Sequence, residues 1–341
     1  MRLPDPSPPQ GRRLNPMRPR GRRLYVTPER FAVIARWALW SLVAIVITGS
    51  LVRLTGSGLG CSDWPNCEPG EFVPAADFHG WVEFGNRMVT GLVSAAVVVA
   101  VAASWWRLPR RGDLVWWSLG LVAGVIFQIG LGAVTVLTHL SPPIVMSHFL
   151  ASQVLVSAAV VLQHRASWES PPGGEGTMRL PTQVRTLAWL AATLTAAALW
   201  TGTVVTGTGP HGGDEHVERL QFALPSVARI HGITVAVLAA AVLLLALQVR
   251  RLAATQQAGA TTELGRRVRI VIGVMAVQAA IGYVQYFNEL PVLLVALHVV
   301  GATLLTIMVT RLLLAAETGR RASAEPGVAG SVGIAGRGFP E

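Results

Sequence analysis

Long apolar runs separated by short polar loops dominate the chain from residue 31 onward. Because a hydrocarbon core of about 30 Å needs roughly 20 apolar residues per helix, eight of these runs are long enough to cross a bilayer. They lie near residues 31–51, 83–103, 113–137, 143–163, 184–205, 226–248, 268–286 and 291–314. The pattern predicts an all-α integral membrane protein with eight transmembrane helices.

The two halves of the chain repeat the same polar features in the same order. Each half has a Thr-Gly pair near the end of its first span, a polar position in its second, Gln and a nearby Gly in its third, and His in its fourth. The corresponding residues are Thr48 and Thr201, Asn86 and His231, Gln128 and Gln278, Gly132 and Gly282, and His148 and His298. Since four spans per half give both halves the same orientation, we predict two pseudo-symmetric parallel four-helix bundles.

Polar segments between the spans set the expected domain boundaries. The first segment is rich in Pro and Arg and the last in Gly, and both compositions are typical of disordered tails. The predicted units are a basic cytoplasmic tail at 1–30, an N-terminal half at 31–163 with an outer loop at 52–82, a cytoplasmic linker at 164–183, a C-terminal half at 184–315 and a cytoplasmic tail at 316–341.

Composition excludes several classes of protein. Hydrophobic residues make up 52% of the chain and charged residues 13%, whereas soluble domains carry about 25% charged residues. The net charge of +10 therefore does not indicate a nucleic-acid binder. All 28 basic residues are arginine, so the lysine of a nucleotide-binding P-loop is absent. The glycine run at 56–60 has no following helix or basic partner, which argues further against a nucleotide site.

Arginine placement predicts the orientation of the chain in the membrane. Of the 28 arginines, 23 fall in the tails, loops and span ends on one side, while acidic residues concentrate in the alternate loops. Positive residues favour the cytoplasmic side, so both termini should be cytoplasmic and the loops at 52–82 and 206–225 outside. We expect a multi-pass protein of the cell membrane whose inner face contacts anionic lipid.

Three histidines lie inside the predicted spans, where an imidazole is costly and is a candidate for function. His148, His231 and His298 are each about six or seven residues from the outer end of an even-numbered span, hence roughly 10 Å deep. Even-numbered spans of one half run parallel, so His231 and His298 can face each other, and paired imidazoles commonly hold haem. Haem is favoured over zinc or copper, because no cysteine, methionine or acid lies at that depth in the second half. Simple packing between helices is the alternative.

The first half differs at one ligand position. Asn86 stands where the second half has His231, and asparagine is a poor iron ligand. A haem in the first half would therefore be five-coordinate on His148, which favours oxygen chemistry. Glu83 lies three residues before Asn86 on the same helical face, where it could be solvated at the membrane boundary or face a substrate cavity.

Arginines on the outer side are candidate donors to haem propionates, because charge-assisted hydrogen bonds suit a carboxylate. Ordinary snorkelling at the interface is the alternative. These arginines are Arg53, Arg87, Arg219 and Arg229. Gln128 and Gln278, at matching positions of the repeat, are further candidates for cofactor contact.

Two cysteines, Cys61 and Cys67, lie in the first outer loop. They are too few for a four-cysteine zinc or iron–sulfur site. An outer compartment permits a disulfide, so the pair could staple a small loop. A redox-active pair that relays electrons is the alternative.

Over roughly residues 30–315 the chain resembles the haem A synthase family. The resemblance rests on eight spans in two four-helix halves, histidines in the even spans, paired cysteines in the first outer loop and a carboxylate three residues before the ligand position of span two. It implies that His231 and His298 bind a resident haem b. It also implies that the first half takes haem O, with His148 as ligand, and oxidises its C8 methyl group to a formyl group.

The resemblance also assigns roles in the first half. Glu83 matches the Glu of the family's Glu-x-x-His motif, for which proton transfer or stabilisation of a cationic intermediate has been proposed. Cys61 and Cys67 match the family's disulfide pair. Asn86 departs from the pattern, which has histidine there, so either one substrate-site ligand is dispensable or the protein does altered chemistry. We favour the first interpretation, with Glu83, Asn86 and Arg87 as the catalytic residues.

Partners follow from the same resemblance. They are the farnesyltransferase that produces haem O, an unidentified membrane electron donor and the cytochrome oxidase that receives haem A, with no nucleotide, zinc or nucleic acid. Three alternatives stay open. A non-catalytic haem carrier or assembly factor would explain Asn86 as lost catalysis, whereas the missing ligand argues against a b-type electron carrier with low-spin haem in both halves. A solute transporter is the least expected, because the spans lack Pro-broken pairs at the midplane.

Overall fold

The computed structural model describes residues 25–167, 180–254 and 258–318. Within these residues the chain forms eight helices: α1 (Pro28–Leu54), α2 (Phe78–Trp106), α3 (Gly112–Leu137), α4 (Pro142–Ala166), α5 (Thr182–Thr208), α6 (Leu224–Ala254), α7 (Ala258–Phe287) and α8 (Val292–Thr318). Each is long and apolar enough to cross a bilayer. The predicted all-α membrane fold is confirmed.

Several helices extend beyond the apolar spans because polar residues cap or continue them. α1 begins at Pro28, inside the stretch predicted as a tail, since the Thr27 side chain caps its N-terminus. α7 begins well before its predicted span. There Glu263 pairs with Arg266 and Arg267 one turn later, which stabilises a polar first part as helix.

Most of the predicted tails and linker lie outside the described residues. Residues 1–24, 168–179 and 319–341 are among them, so the predictions of disordered tails and of the linker stay predictions. The ends of α4, at Ala166, and of α5, at Thr182, mark where the described structure reaches the linker.

The helices pack as two groups of four. α1 and α3 each contact α2 and α4, and α5 and α7 each contact α6 and α8, so each group closes into a ring. One apolar core lies mainly within α1–α4 and a second within α5–α8. In the described part of the chain α6 and α8 do not touch each other, so they are diagonal in their ring. The pseudo-two-fold relation between the rings stays a prediction.

Contacts of α4 and α8 join the two rings. Gln153 donates a hydrogen bond to the Thr303 hydroxyl at 3.2 Å, and Thr310 donates to Ser157 at 3.3 Å. Met308 packs against both apolar cores. Hydrogen bonds between membrane helices contribute about 0.6 kcal/mol each on average, so packing supplies most of this interface and the polar pairs fix its register.

Candidate functional site

The second ring contains two histidines, one on each of two diagonal helices. His231 lies near the start of α6 and His298 near the start of α8. Both residues are half-buried. The two histidines therefore lie on diagonal helices of one ring, and that their imidazoles face each other stays a prediction.

Helix α5 orients His231. The Thr201 hydroxyl lies 3.1 Å from His231 Nδ1. A Cβ atom on the next residue, Gly202, would lie 3.2 Å from His231 Cε1, so the ring packs directly on the glycine backbone. The group that binds one ring nitrogen decides which nitrogen remains for a metal. With Nδ1 held by Thr201, His231 keeps Nε2 for a ligand.

Helix α7 supports His298 from its other side. Gln278 is buried, and its Nε2 donates to the backbone carbonyl of His298 at 2.9 Å. A Cβ on Gly282 would lie 3.4 Å from His298 Cε1. Gln278 packs against Gly301, where a Cβ would come within 2.2 Å of its Oε1. The α7–α8 contact therefore depends on small residues next to the glutamine and the histidine.

The first ring has the same arrangement with one change. Gln128 Nε2 donates to the His148 carbonyl at 3.2 Å, and a Cβ on Gly132 would lie 3.4 Å from His148 Cε1. The Thr48 hydroxyl donates to Asn86 Oδ1 at 2.8 Å. Asn86 therefore takes the position that a histidine holds in the second ring, with the matching threonine as its partner.

Matched buried atoms in both rings lack a hydrogen-bond partner within the described chain. They are Nδ1 of His148 and His298 and Oε1 of Gln128 and Gln278. Buried polar groups are normally hydrogen-bonded, and these four occur at equivalent positions of the repeat. For His148, however, the backbone of Leu131 lies close enough to the imidazole to interact with it, so the unpaired ring nitrogen is clearest in His298.

Glu83 lies beneath the disulfide loop. Its residue is 6% exposed, so the solvated alternative is wrong. Glu83 Oε1 pairs with Arg87 Nη2 at 2.6 Å, and Oε2 accepts the backbone N–H of Cys61 at 2.8 Å. Cys61 and Cys67 form a disulfide. The carboxylate therefore anchors the stapled loop to the N-terminal end of α2.

Arg87 also binds the loop that the disulfide closes. Its Nη1 donates to the backbone carbonyls of Asp63 and Asn66, at 3.0 and 2.8 Å. Both residues belong to the loop that the disulfide closes. The guanidinium is thus bound to Glu83 and to loop backbone, rather than left as a donor for a propionate.

Of the other three arginines that the sequence predicts to lie on the outer side, two donate hydrogen bonds to backbone carbonyls. Arg53 donates to the Thr206 carbonyl at 2.8 Å, which links α1 to α5. Arg219 donates to the Pro210 carbonyl, and burial lowers the pKa of its guanidinium. Arg229 is exposed and has no polar contact with any residue that the structure describes. The expected propionate contacts of these arginines stay predictions.

The sequence identified Thr48 and Thr201 as matched positions of the repeat and predicted no contact for either. In the structure they are the hydrogen-bond partners of Asn86 and His231. Their signal was present in the sequence as a Thr-Gly pair in the same place of both halves. Which residue the hydroxyl would contact required the packing of neighbouring helices.

Comparison with known proteins gives a family match and several relatives. The family model COX15-CtaA, described as cytochrome oxidase assembly protein, matches residues 32–79 and 73–210. These stretches together cover more than half of the chain and include most of α1 and all of α2–α5.

The relatives are proteins named Heme A synthase. The chain is 33% identical over 179 residues to the one from Symbiobacterium thermophilum, covering 49% of this chain and 56% of the relative. It is 30% identical over 169 residues to the one from Shouchella clausii, with the same coverage, and 33% identical over 123 residues to the one from Alkalihalophilus pseudofirmus, covering 36% and 41%. The matches thus span about half the length of these relatives.

Proposed function

The chain belongs to the COX15-CtaA family of cytochrome oxidase assembly proteins, and on that premise we propose that it is a haem A synthase. The proposed reaction oxidises the C8 methyl group of haem O to a formyl group and gives haem A for a terminal oxidase. One observation carries the proposal. The two rings hold matched polar sites that differ at one ligand position, His231 in the second and Asn86 in the first. Two imidazoles suit electron transfer, and a single imidazole suits oxygen chemistry.

The second ring would hold a resident haem b between His231 and His298. Two imidazoles on diagonal helices fit the donor set of low-spin haem in a helix bundle. Gly202 and Gly282 fit as well, because a side chain at either position would crowd a ligand ring. The bound haem would supply one-electron transfer. Thr201 would hold the His231 ring in one tautomer and orientation.

The first ring would bind haem O as substrate, with His148 as its protein ligand. Gln128 would fix the α4 backbone at that histidine through its 3.2 Å hydrogen bond. Asn86 would leave the opposite side of the iron without a strong ligand. Since Thr48 donates to the carbonyl oxygen of Asn86, the amide N–H groups would remain to hydrogen-bond an oxygen-containing ligand there.

Glu83 would transfer protons or stabilise positive charge beside the substrate, and Arg87 would hold the carboxylate and the loop in place. With O₂ as the oxidant, each oxygenation of the methyl group takes up two electrons from the donor and two protons and forms water, and a buried carboxylate can transfer such protons or stabilise positive charge. The ion pair at 2.6 Å and the Cys61 N–H would keep the carboxylate in a fixed position. Arg87, bound to the loop carbonyls, would keep the disulfide loop closed over this end of α2.

Cellular context follows from the proposed reaction. Haem O would come from the farnesyltransferase that makes it, a membrane donor would supply electrons, and cytochrome oxidase assembly would take the product. Both termini would be cytoplasmic, as the arginine asymmetry of the sequence supports. The haem sites would then lie in the outer half of the membrane.

The direct test is production of haem A in cells that make haem O but lack their own haem A synthase. Total haem would be extracted and separated by chromatography with mass analysis. We expect a haem with the farnesyl tail and a new formyl group in cells carrying this chain, and none with His148→Ala. Recovery of only haem B and haem O from cells with folded, haem-loaded protein would contradict the enzyme assignment.

A haem carrier or assembly factor is the second candidate, and Asn86 is the observation that favours it. This candidate would bind haem through His231 and His298 and leave the porphyrin unchanged. Haem A production by the wild type separates the two proposals, and Asn86→Ala then tests whether the amide is used. An enzyme that uses the amide would lose haem A production, whereas a carrier would have no such production to lose.

A further inference from the structure

A cavity of about 420 Å³ lies at the end of the bundle that the sequence predicts to be cytoplasmic. Its walls include Gln163 of α4, Arg266 and Ile270 of α7, and Met308 and Arg311 of α8. In the described chain α4 and α7 do not contact each other, and both pack on α8. The cavity is therefore a cleft between α4 and α7 with α8 as its floor, at the junction of the two rings.

Positive charge around this cleft exceeds the negative charge. Arg266 and Arg267 share one acid, Glu263, at 2.7 to 2.8 Å. Arg311 donates only to neutral Gln163, at 3.3 Å, and forms no ion pair with any acid in the residues that the structure describes. Arg36 adds a further charge that interacts with Arg311. Three guanidinium groups thus line the cleft, and among the described residues only Glu263 pairs with any of them.

The first half of the chain has no arginine at the positions equivalent to Arg266, Arg267 and Arg311. Residues of α3 and α7, and of α4 and α8, correspond at a constant offset, as the Gln128–Gln278 and His148–His298 pairs show. The same offset places Trp116, Trp117 and Val161 in the first ring opposite Arg266, Arg267 and Arg311 in the second. Apolar residues fill these positions in one copy of the same fold, so the fold itself does not need a cluster of arginines there.

The depth and lining of the cleft indicate the kind of ligand. Arg311 lies three residues before the end of the apolar span predicted at 291–314, which is about 5 Å along the helix axis. This is the level of lipid headgroups. Ile270 and Met308 add apolar wall beside the arginines. We propose that the cleft binds an anionic phospholipid of the inner leaflet, with its phosphate at Arg311 and the apolar wall against its glycerol and upper acyl chain.

The test is lipid binding by the purified full-length protein. Native mass spectrometry would measure binding of phosphatidylglycerol, with phosphatidylcholine as the neutral comparison lipid. The variant is Arg311→Gln, with Arg266→Gln as a second variant at an exposed edge of the cleft. The matched control is Arg110→Gln, which removes one exposed arginine from the same end of the molecule, away from the cleft.

We expect Arg311→Gln to weaken phosphatidylglycerol binding at least tenfold and Arg266→Gln about threefold, with less than twofold change for Arg110→Gln. Inorganic phosphate should not displace the lipid, because it lacks the apolar part. Equal weakening by the cleft variants and Arg110→Gln would overturn the proposal and indicate a diffuse charge effect. Displacement by inorganic phosphate would also overturn it, because the ligand would then be a soluble anion. Neither result depends on whether the protein makes haem A.

Discussion

Gln153 and Thr303 form a hydrogen bond across the two rings, and each lies five residues after an intramembrane histidine. They are therefore equivalent positions of the repeat, like His148 and His298. Five residues turn an α-helix by roughly 140°. Each of the two helices thus directs its histidine towards its own ring and its polar partner towards the other ring. α4 and α8 therefore form the wall that the two rings share.

The contributions of Gln153 and Thr303 to the free energy of unfolding should be coupled. Thr303→Val would leave the buried amide of Gln153 without its partner and cost about 1 kcal/mol, since an unsatisfied buried group bears its desolvation cost. The double variant Gln153→Leu with Thr303→Val should be closer to wild type, because both polar groups are gone. Thermal unfolding in detergent for the four members of the cycle measures the coupling. Strictly additive losses would show that the bond contributes nothing to the interface.

Thr201 and Thr48 should affect different haems when changed to valine. Thr201→Val removes the partner of His231 Nδ1 at 3.1 Å. A hydrogen bond is worth about 1 kcal/mol, so resident haem should dissociate about fivefold faster. Thr48→Val, the matched change in the first ring, should leave that rate unchanged. Transfer of haem to apomyoglobin gives both rates. Equal acceleration by the two variants would contradict separate sites.

Asn86→His should change the first ring alone. A second imidazole opposite His148 would close the open iron position, so we expect at least tenfold less carbon monoxide binding to the haem bound there. The spectrum of the haem between His231 and His298 should not change. Asn86→Ala is the control, because it adds no ligand and should preserve carbon monoxide binding. A high-spin first-ring haem in Asn86→His would count against the assigned position.

Glu83→Gln should destabilise the outer loop. The change leaves Arg87 without its buried carboxylate partner, and losing one member of a buried pair costs about 3 kcal/mol. Glu317→Gln is the matched control, since its pair with Arg185 is more exposed and such pairs contribute less than about 1 kcal/mol. Differential scanning fluorimetry compares the two variants. Similar melting temperatures would show that Glu83 does not anchor the loop.

Gly301→Ala tests the packing of the buried glutamine. A Cβ at this position would overlap Gln278 Oε1 at 2.2 Å, so the amide must move from its hydrogen bond to the His298 carbonyl. We expect a loss of about 1–3 kcal/mol from overpacking and a shift of the resident haem spectrum. Gly273→Ala, where no atom lies within 4 Å of the new Cβ, is the control. Unchanged spectra in both variants would exclude the proposed link between Gln278 and the haem ligand.

The sequence by itself determined the class of the protein and the helices that build it. Bilayer thickness and the cost of an unpaired backbone group in hydrocarbon leave few solutions for eight long apolar runs. The repeat also identified His148, His231, His298 and Asn86 as matched positions, because residue identity at a fixed offset needs no coordinates. The family resemblance read from these residues is confirmed by the family match.

Only the tertiary structure decided what each of these residues touches. Hydrogen bonds such as Thr201 to His231 join side chains on different helices, and their geometry depends on how far each helix is rotated about its axis. Because lipid and protein interior are both apolar, the pattern of apolar residues along a membrane helix constrains that rotation only weakly. Burial of Glu83 under the disulfide loop and the arginine cleft at Arg311 likewise arise where distant segments meet. Such contacts follow from packing complementarity, which no single segment of the sequence encodes.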